Sequence, residues 1–216
     1  MMGEMIENIA HQWRQPLSKI NSIVLSIYSN LGKYDLVSNK LTQIESTTKY
    51  MSNTIDDFQN FFDNDKKVEK FHIADIIKKS ISIVNTKNSN TSIEVSVNKN
   101  LIILGYPRYL QQVIVVIINN AKDALLLNGI KKPTIAIDVI ERNSICTIQI
   151  CDNAKGIEEK NIHRIFEPYF TTKHKSQGRG LGLYISKMII EDGMNGELLV
   201  ANNKSGACFT IKINKE

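Results

Sequence analysis

The sequence predicts an α+β protein in which an N-terminal helical hairpin is followed by an α/β sandwich. Two periodicities predict this fold. Over residues 1–64, apolar residues recur at spacings of three and four, which is the period of one face of a helix. After residue 64, helical stretches alternate with short segments in which every second residue is apolar, as in half-buried strands. The charged, non-periodic segment 64–70 separates the two patterns, so we predict two domains, residues 1–64 and 65–216.

The first domain is predicted to be a pair of helices. Apolar residues follow the helical period over residues 6–31 and again over residues 41–62, with a break at residues 31–39. In the second helix, spacings of three and four alternate throughout, which gives a 3.5-residue repeat typical of helices packed side by side. Because two such helices close a core poorly alone, we predict a homodimer through a four-helix bundle. A helical hairpin without a catalytic role is the alternative interpretation.

The second domain is predicted to place helices on one face of a mixed sheet. Pro107 suits the first turn of a helix, where its missing N–H is not needed. Residues 154–180 are polar, glycine-punctuated and poorly periodic. A loop of this length in a compact domain is usually functional or disordered, and we interpret it as a lid. Helices are predicted over residues 74–84, 107–127 and 181–191, and strands over residues 92–97, 102–104, 134–140, 146–151, 197–200 and 207–213.

Composition narrows the classes of protein that the chain can represent. Its 42% hydrophobic and 23% charged residues are typical of a folded domain. It has no apolar run of about 18 residues, so we expect no direct membrane contact. Residues 65–216 carry twenty-two Lys and Arg against fifteen Asp and Glu, a balance that suits a polyphosphate ligand. Because there is no dense basic run, we expect no nucleic-acid partner.

The three cysteines are Cys146, Cys151 and Cys208. An odd number without metal-ligand spacing argues against a disulfide framework and against a zinc site. Cys146 and Cys151 fall in a predicted strand, where buried free thiols behave as small hydrophobic side chains. We therefore expect a reducing compartment, the cytoplasm.

His11 is a candidate phosphate acceptor in the first predicted helix, within the segment H-Q-W-R-Q-P-L. Around a helix it lies about 200° from both Ile9 and Trp13, so it points away from the apolar seam. Pro16 removes the helical partner of the Gln12 carbonyl and would loosen the backbone beside His11. A neutral imidazole is a competent nucleophile near neutral pH. A solvated helical histidine without a role is the alternative.

Three later segments carry signals for binding a nucleotide. Gly180 and Gly182 lie at a predicted helix start in G-R-G-L-G-L, where glycine lets backbone N–H groups approach phosphates; an ordinary turn is the alternative. Asp152 ends a predicted strand, and its carboxylate could accept the adenine amino group or simply start a turn. Asn120 lies within a predicted helix, where its amide oxygen could be a ligand for Mg²⁺ or a surface group.

Taken together and in this order, the segments resemble the catalytic core of bacterial sensor histidine kinases. The resemblance covers essentially the whole chain. The matching segments are residues 11–17 for the phosphoacceptor motif, Asn120 and Ala121 for the N box, residues 152–156 for the first glycine box, residues 166–170 for the F box, and residues 178–183 for the second glycine box.

The resemblance implies a role for each domain and for individual residues. Residues 1–64 would be the dimerisation and histidine phosphotransfer domain, and residues 65–216 an ATP-binding domain of the Bergerat type, shared with gyrase and Hsp90. Asn120 would coordinate Mg²⁺ and Asp152 would recognise adenine. The remaining candidates would border the nucleotide or contact its phosphates: Lys122, Gly156, Tyr169, Lys173, Arg179, Gly180, Leu181 and Gly182.

The activity that the resemblance implies is that of a two-component sensor histidine kinase. His11 would be autophosphorylated from ATP, and the phosphate would then move to an aspartate of a response regulator receiver domain. Because the chain starts almost directly at the histidine helix, we expect it to be the cytoplasmic part of a longer sensor, which could be membrane-bound.

The chain departs from the family pattern at four positions. Gln12 stands where the family commonly has an acidic residue that orients the imidazole or takes its proton, and an amide cannot act as a base. Together with Gln15, it also departs from the pattern linked to phosphatase activity. Val116 replaces a usual Asn of the N box, and Ala154 replaces a usual Gly of the first glycine box. These departures motivate an alternative, a degenerate dimeric module that binds nucleotide and regulates a partner without autokinase activity.

Overall fold

The structure, a computed structural model, consists of two compact units, residues 1–66 and 67–216. The predicted domain boundary, between residues 64 and 65, lies close to this division. The backbone is described for residues 2–61, 67–84, 91–173 and 180–215. The side chains of residues 2–13, 15, 49–50 and 53–61 lie outside the described part.

The first unit contains two helices, α1 (Met2–Tyr28) and α2 (Tyr34–Phe61). The turn between them is shorter than the predicted break, because helical hydrogen bonding extends to Tyr28 and resumes at Tyr34. The two helices contact each other, and Ile23 and Thr47 are buried. The predicted dimeric four-helix bundle stays a prediction.

The second unit is built on a five-stranded mixed sheet. Its strand order is β2-β4-β5-β7-β6; β2 runs parallel to β4, and the other pairs are antiparallel. A separate antiparallel pair joins β1 and β3. In chain order the elements are β1 (Glu69–His72), α3 (Ile73–Val84), β2 (Ser92–Ser96), β3 (Ile102–Gly105), α4 (Pro107–Leu127), β4 (Thr134–Arg142), β5 (Ile145–Asp152), α5 (Glu159–Ile162), α6 (Gly182–Met188), β6 (Glu197–Asn202) and β7 (Ala207–Asn214).

The hydrophobic core lies between the sheet and the helices α3, α4 and α6. Along β5 and β7 every second residue is buried, as expected for strands with one face on a core. Helix α4 presents a buried stripe at the helical period: Leu110, Val113, Ile114, Ile117, Ile118, Ala121 and Leu125. The α+β prediction is confirmed for this unit, and α4 has the predicted bounds.

Helix α4 is also the one described helix whose length and composition would allow it to cross a membrane. Its apolar residues have another explanation here, because seven of them are buried in the core. The helix also carries polar side chains at Asn119, Asn120, Lys122 and Asp123. The expectation of no direct membrane contact therefore remains a prediction.

Several elements differ from the sequence-based expectation. Strand β1 lies partly in the predicted linker; it is short, and only Phe71 is partly buried in it, so it has little periodic signal. The four-residue helix α5 interrupts the predicted long loop. Helix α6 begins at Gly182 and continues as a π-helical turn, Ile189–Gly193, which ends two residues beyond the predicted helix 181–191.

The expectation of free thiols was wrong for two of the cysteines. Cys151 and Cys208 face each other across β5 and β7, with Cα atoms 4.0 Å apart, and their sulfurs form a disulfide. The two residues are 57 positions apart, so their pairing depends on strand register, which the cysteine count does not reveal. Cys146 is free and buried, and burial raises the pKa of its thiol to about 11. The cytoplasmic location stays a prediction, and the disulfide weakens the reasoning from free thiols.

Candidate nucleotide-binding site

Asp152 is a buried carboxylate at the end of β5. It is the last core-facing residue of that strand, and it is 5% exposed. Its Oδ1 accepts hydrogen bonds from the backbone N–H groups of Ala154, at 2.9 Å, and Ala207, at 3.3 Å. No described residue donates to its Oδ2. Burial raises the pKa of Asp152, and the two backbone hydrogen bonds lower it in part. A buried acceptor without a partner is suited to a ligand donor such as an amino group.

Gly206 makes room for Asp152. A Cβ on Gly206 would lie 2.5 Å from Asp152 Oδ1 and 2.8 Å from the Ala154 nitrogen. The glycine lies in the turn before β7, where its N–H is bonded to Asn203 Oδ1 at 2.8 Å. Only a residue without a side chain fits this close approach. The amino-acid sequence alone does not connect Gly206 to Asp152, because the two residues lie on different strands or turns far apart in the chain.

The loop after Asp152 is held by Asn202 at the end of β6. Asn202 Oδ1 accepts from the Ile157 N–H at 2.8 Å, and its Nδ2 donates to the Ile157 carbonyl at 2.7 Å. Gly156 has φ +73°, and a Cβ there would lie 2.7 Å from Asn202 Oδ1. Gly156 is therefore required both by its backbone conformation and by the approach of Asn202. Ala154 is buried beside this loop, so its methyl group is part of the packing.

Gly180, at the end of the predicted lid, packs against the backbone of the F box. Its φ is +68°, and a Cβ there would lie 2.5 Å from the Phe170 carbonyl oxygen and against the Tyr169 carbonyl carbon. Tyr169 itself has φ +63°, a conformation that is uncommon without glycine. The backbone of the F box therefore packs directly on the second glycine box.

The start of α6 packs against α4. A Cβ on Gly182 would lie 3.1 Å from a methyl group of Val116, and Leu181 is buried. Val116 is therefore a packing residue here: its side chain fills the space over Gly182, one helical turn before Asn120.

Asn120 and Asp123 share a cation, the ammonium group of Lys173. Lys173 Nζ donates to Asn120 Oδ1 at 3.0 Å and to Asp123 Oδ2 at 2.6 Å. Lys173 follows the F box, and its N–H is bonded to Thr171 Oγ1. Asp123 was missed by the sequence analysis. Its position three residues after Asn120 places it on the same side of α4, and that spacing could have identified it.

Lys122 lies in a different environment from Lys173. Its ammonium donates to the Val84 carbonyl at the end of α3, at 3.0 Å. Burial lowers the pKa of Lys122, while the charge of Asp123 raises it. The structure does not bring Lys122 into the cluster of Asn120 and Lys173, so its predicted phosphate contact has no support from this geometry.

Aromatic residues of the F box anchor the loop to the sheet. The Phe166 ring packs edge-on against Phe209 of β7, with centroids 6.5 Å apart, and Lys187 Nζ lies 4.9 Å from the Phe166 ring. The Arg164 guanidinium lies 4.6 Å from the Phe170 ring. Phe209 follows Ala207 by two residues, so the same strand contacts both Phe166 and Asp152.

The side-chain oxygens of Asn120 and Asp123 are suited to a hard divalent cation whose remaining ligands are phosphate oxygens and water. Among the described residues, no group of three or more His, Cys, Asp or Glu could hold a metal ion. Mg²⁺, however, is usually held by one or two protein oxygens together with substrate phosphates and water. Asn120 and Asp123 offer two such oxygens, and both already contact the positive charge of Lys173.

Other predicted site residues are only partly described. His11, Gln12 and Gln15 lie in α1, but their side chains are outside the described part, as is the whole of Arg179. Two clefts of about 360 and 420 Å³ lie along α3 and the beginning of α4. None of the predicted site residues lines either cleft.

Comparison with known proteins identifies the class of this domain. The profile of the family described as histidine kinase-, DNA gyrase B- and HSP90-like ATPase matches residues 105–216, and the chain belongs to this family. The second unit is therefore an ATP-binding core of the kind found in sensor histidine kinases, as the motifs predicted.

Individual relatives agree with this class. The two-component sensor PprA of Pseudomonas aeruginosa is 26% identical over 98% of this chain, which corresponds to 24% of PprA. The chain spans about a quarter of the length of the first curated relatives it matches. Among solved structures, the catalytic domain of histidine kinase ThkA has 25% identity and a TM-score of 0.61, covering 69% of this chain and 96% of that domain.

A second ThkA structure extends the likeness of fold to nearly the whole chain. It is the complex of ThkA with the response regulator protein TrrA, and it has 22% identity and a TM-score of 0.58. The match covers 99% of this chain and 62% of the ThkA chain.

Proposed function

We propose that the chain is the catalytic core of a two-component sensor histidine kinase that phosphorylates His11 from ATP and passes the phosphate to a response regulator. One observation carries the proposal: a domain of the ATPase family at residues 105–216 shares a chain with a helix that bears the acceptor motif at His11. We place this activity in the cytoplasm, where ATP is available.

The described residues supply the contacts that ATP binding needs. Asp152 offers a buried oxygen for the adenine amino group, and Asn120 and Asp123 offer oxygens for Mg²⁺. Lys173 offers a positive charge for the phosphates. When bound, Mg²⁺ would neutralise phosphate charge, which is a main source of rate enhancement in phosphoryl transfer.

The chemical step transfers the γ-phosphoryl group of ATP from the bridging oxygen of ADP to an imidazole nitrogen of His11. An imidazole nitrogen of His11 attacks the γ-phosphorus in line, the N–P bond forms, and the bond to the bridging oxygen of ADP breaks. The imidazole proton must then leave to solvent or to another group, because the amide of Gln12 cannot accept it. In the second transfer, a carboxylate oxygen of the receiver aspartate attacks the phosphorus, the O–P bond forms, the N–P bond breaks, and the imidazole of His11 takes up a proton.

The packing of Val116 and Ala154 is compatible with an active kinase. Val116 fills the space over Gly182. Ala154 uses its N–H to bond Asp152. Both departures from the family pattern are therefore accommodated by the fold, which leaves Gln12 as the main argument for an inactive protein.

Incubation with γ-labelled ATP and Mg²⁺ tests this proposal. We expect label that is labile in acid and stable in base, and that is absent from the His11→Ala variant. Transfer of the label to an isolated receiver domain would support the regulator as partner. Nucleotide binding without any label would instead support the degenerate module.

We also propose a homodimer through α1 and α2. Two residues of the predicted apolar seam remain exposed in a single chain: Leu17 on α1 at 48% and Leu41 on α2 at 54%. Fully burying a leucine is worth about 1.5–3 kcal/mol, so covering this seam would favour association. Sedimentation should give a dimer for the wild type and a shift toward monomer for Leu41→Glu; a monomeric wild type at high concentration would contradict the proposal.

A further inference from the structure

The negative charge of Asp123 is unfavourable in a site that binds a negatively charged nucleotide. Asp123 lies three residues from the candidate Mg²⁺ ligand Asn120, and a carboxylate there would repel a polyphosphate. In the structure, its charge is balanced by Lys173 at 2.6 Å. The Lys173 side chain is 22% exposed and that of Asp123 is 49% exposed, so the contact lies at the edge of the domain, where it can open to solvent.

The position of the ammonium group is suited to a metal cation. It is bounded by two oxygens, one neutral from Asn120 and one charged from Asp123, at 3.0 and 2.6 Å. Mg²⁺ takes oxygen ligands at about 2.0–2.1 Å, so small side-chain movements would bring both oxygens to a metal. The rest of the coordination shell would come from phosphate oxygens and water.

We propose that Asp123 is a metal-binding residue that exchanges one cation for another: Lys173 in the nucleotide-free protein, and a divalent metal in the loaded protein. The inference rests on the proposed function. When Lys173 leaves Asp123, its ammonium is free to meet the phosphates, and Asp123 and Asn120 together face the metal. Asp123 thereby makes nucleotide binding depend on the metal.

Two variants are predicted to change binding without metal in opposite directions. The quantity of interest is the metal enhancement, the ratio of the dissociation constant of a non-hydrolysable ATP analogue in chelator to that in Mg²⁺. Asp123→Asn removes a negative charge, so binding without metal tightens and the enhancement falls, by about tenfold for a nearby partly screened charge. Lys173→Met leaves Asp123 uncompensated when no metal is present, so binding without metal weakens.

The experiment is isothermal titration of the whole chain with the analogue, with and without Mg²⁺. Glu141→Gln is the matched control, because it removes the carboxylate of another partly exposed ion pair, with Lys215 at 2.7 Å. The control should leave the enhancement unchanged. Electron paramagnetic resonance of Mn²⁺ with the analogue gives a second readout, in which Asp123→Asn should release bound Mn²⁺.

The outcomes separate the inference from the proposed function. If Asp123→Asn leaves the enhancement within twofold of wild type, or if both variants shift binding without metal in the same direction, Asp123 has only a structural role and the inference is overturned. If the wild type binds the analogue but does not phosphorylate His11, the proposed function fails and the inference stands. Absence of analogue binding by the folded wild type overturns both. Should Asp123→Asn not fold, Lys173→Met decides alone: binding without metal that is no weaker than in the wild type overturns the inference.

Discussion

Replacing Asp152 by Asn is predicted to weaken ATP binding while stabilising the second unit. The substitution changes one oxygen atom to an amino group. Asn can keep the hydrogen bonds to Ala154 and Ala207 through its own Oδ1, so the turn around Gly206 is preserved. The amino group would take the place of Oδ2, the atom to which no described residue donates, and two amino groups would then face each other in the complex.

The magnitude of the binding effect follows from the loss of one charged acceptor. A hydrogen bond to a charged group is worth about 1.5–3 kcal/mol, which corresponds to a loss of about 10- to 150-fold in affinity. Because the lost contact is to adenine, the preference for ATP over GTP should fall as well. The assay is isothermal titration with the non-hydrolysable analogue and Mg²⁺ at neutral pH.

The stability effect has the opposite sign and depends on pH. Burial raises the pKa of Asp152 in the folded state, so between the unfolded and folded pKa the folded protein holds a proton that the unfolded chain has released. The stability contributed by this group is therefore complete below the ordinary Asp pKa of about 3.9, and it falls as the pH rises to the folded pKa. Asp152→Asn lacks this loss, so it should be the more stable protein at neutral pH.

Urea denaturation at several pH values measures this difference, with Asp138→Asn as the control. Asp138 lies on β4 of the same sheet, and its substitution should change neither affinity nor pH dependence in this way. An affinity of Asp152→Asn within twofold of wild type would show that Asp152 does not recognise the base. If Asp152→Asn were less stable than the wild type at neutral pH, the interpretation of Asp152 as a desolvated carboxylate with an unpartnered oxygen would be refuted.

Two further predictions concern packing and the free thiol. Gly206→Ala should lower the free energy of unfolding by about 1–3 kcal/mol, the usual range for overpacking, because its methyl group would overlap Asp152. Urea denaturation measures this loss. Gly193→Ala is the control and should show no such loss, because its methyl group would approach only one atom, at 3.9 Å. Equal stability of the two variants would contradict the crowding at Gly206. Cys146 should not react with a thiol reagent at pH 8 in the native, oxidised protein, because burial raises the pKa of its thiol to about 11. One reactive thiol should appear when the protein is unfolded. Rapid reaction in the native state would contradict the burial of Cys146.

The sequence was most informative where local pattern and local chemistry coincide. Helix α4 has the predicted bounds because Pro107 marks its start and its apolar period continues to Leu127. The strands β5 and β7 were predicted because alternation reports directly on which residues face the core. These features depend on neighbours a few residues apart, which a single sequence contains.

Contacts between distant segments were not predictable in the same way. Strand register determines three such contacts. They are the close approach of Gly206 to Asp152, the hydrogen bonds between Asn202 and residue 157, and the disulfide between Cys151 and Cys208. Asp123 was also missed, although its spacing of three residues from Asn120 could have identified a shared helix face. The motif resemblance directed attention to Lys122, but only the fold distinguishes it from Lys173.

Mapping of the phosphorylated residue tests the central proposal most directly. The protein is incubated with ATP and Mg²⁺, digested under alkaline conditions that preserve phosphohistidine, and examined by tandem mass spectrometry. We predict a phosphoryl group on His11, at reduced level in Asp152→Asn. Phosphate on another residue, or an unmodified His11 in a protein that binds ATP, would contradict the assignment of this chain as an active histidine kinase core.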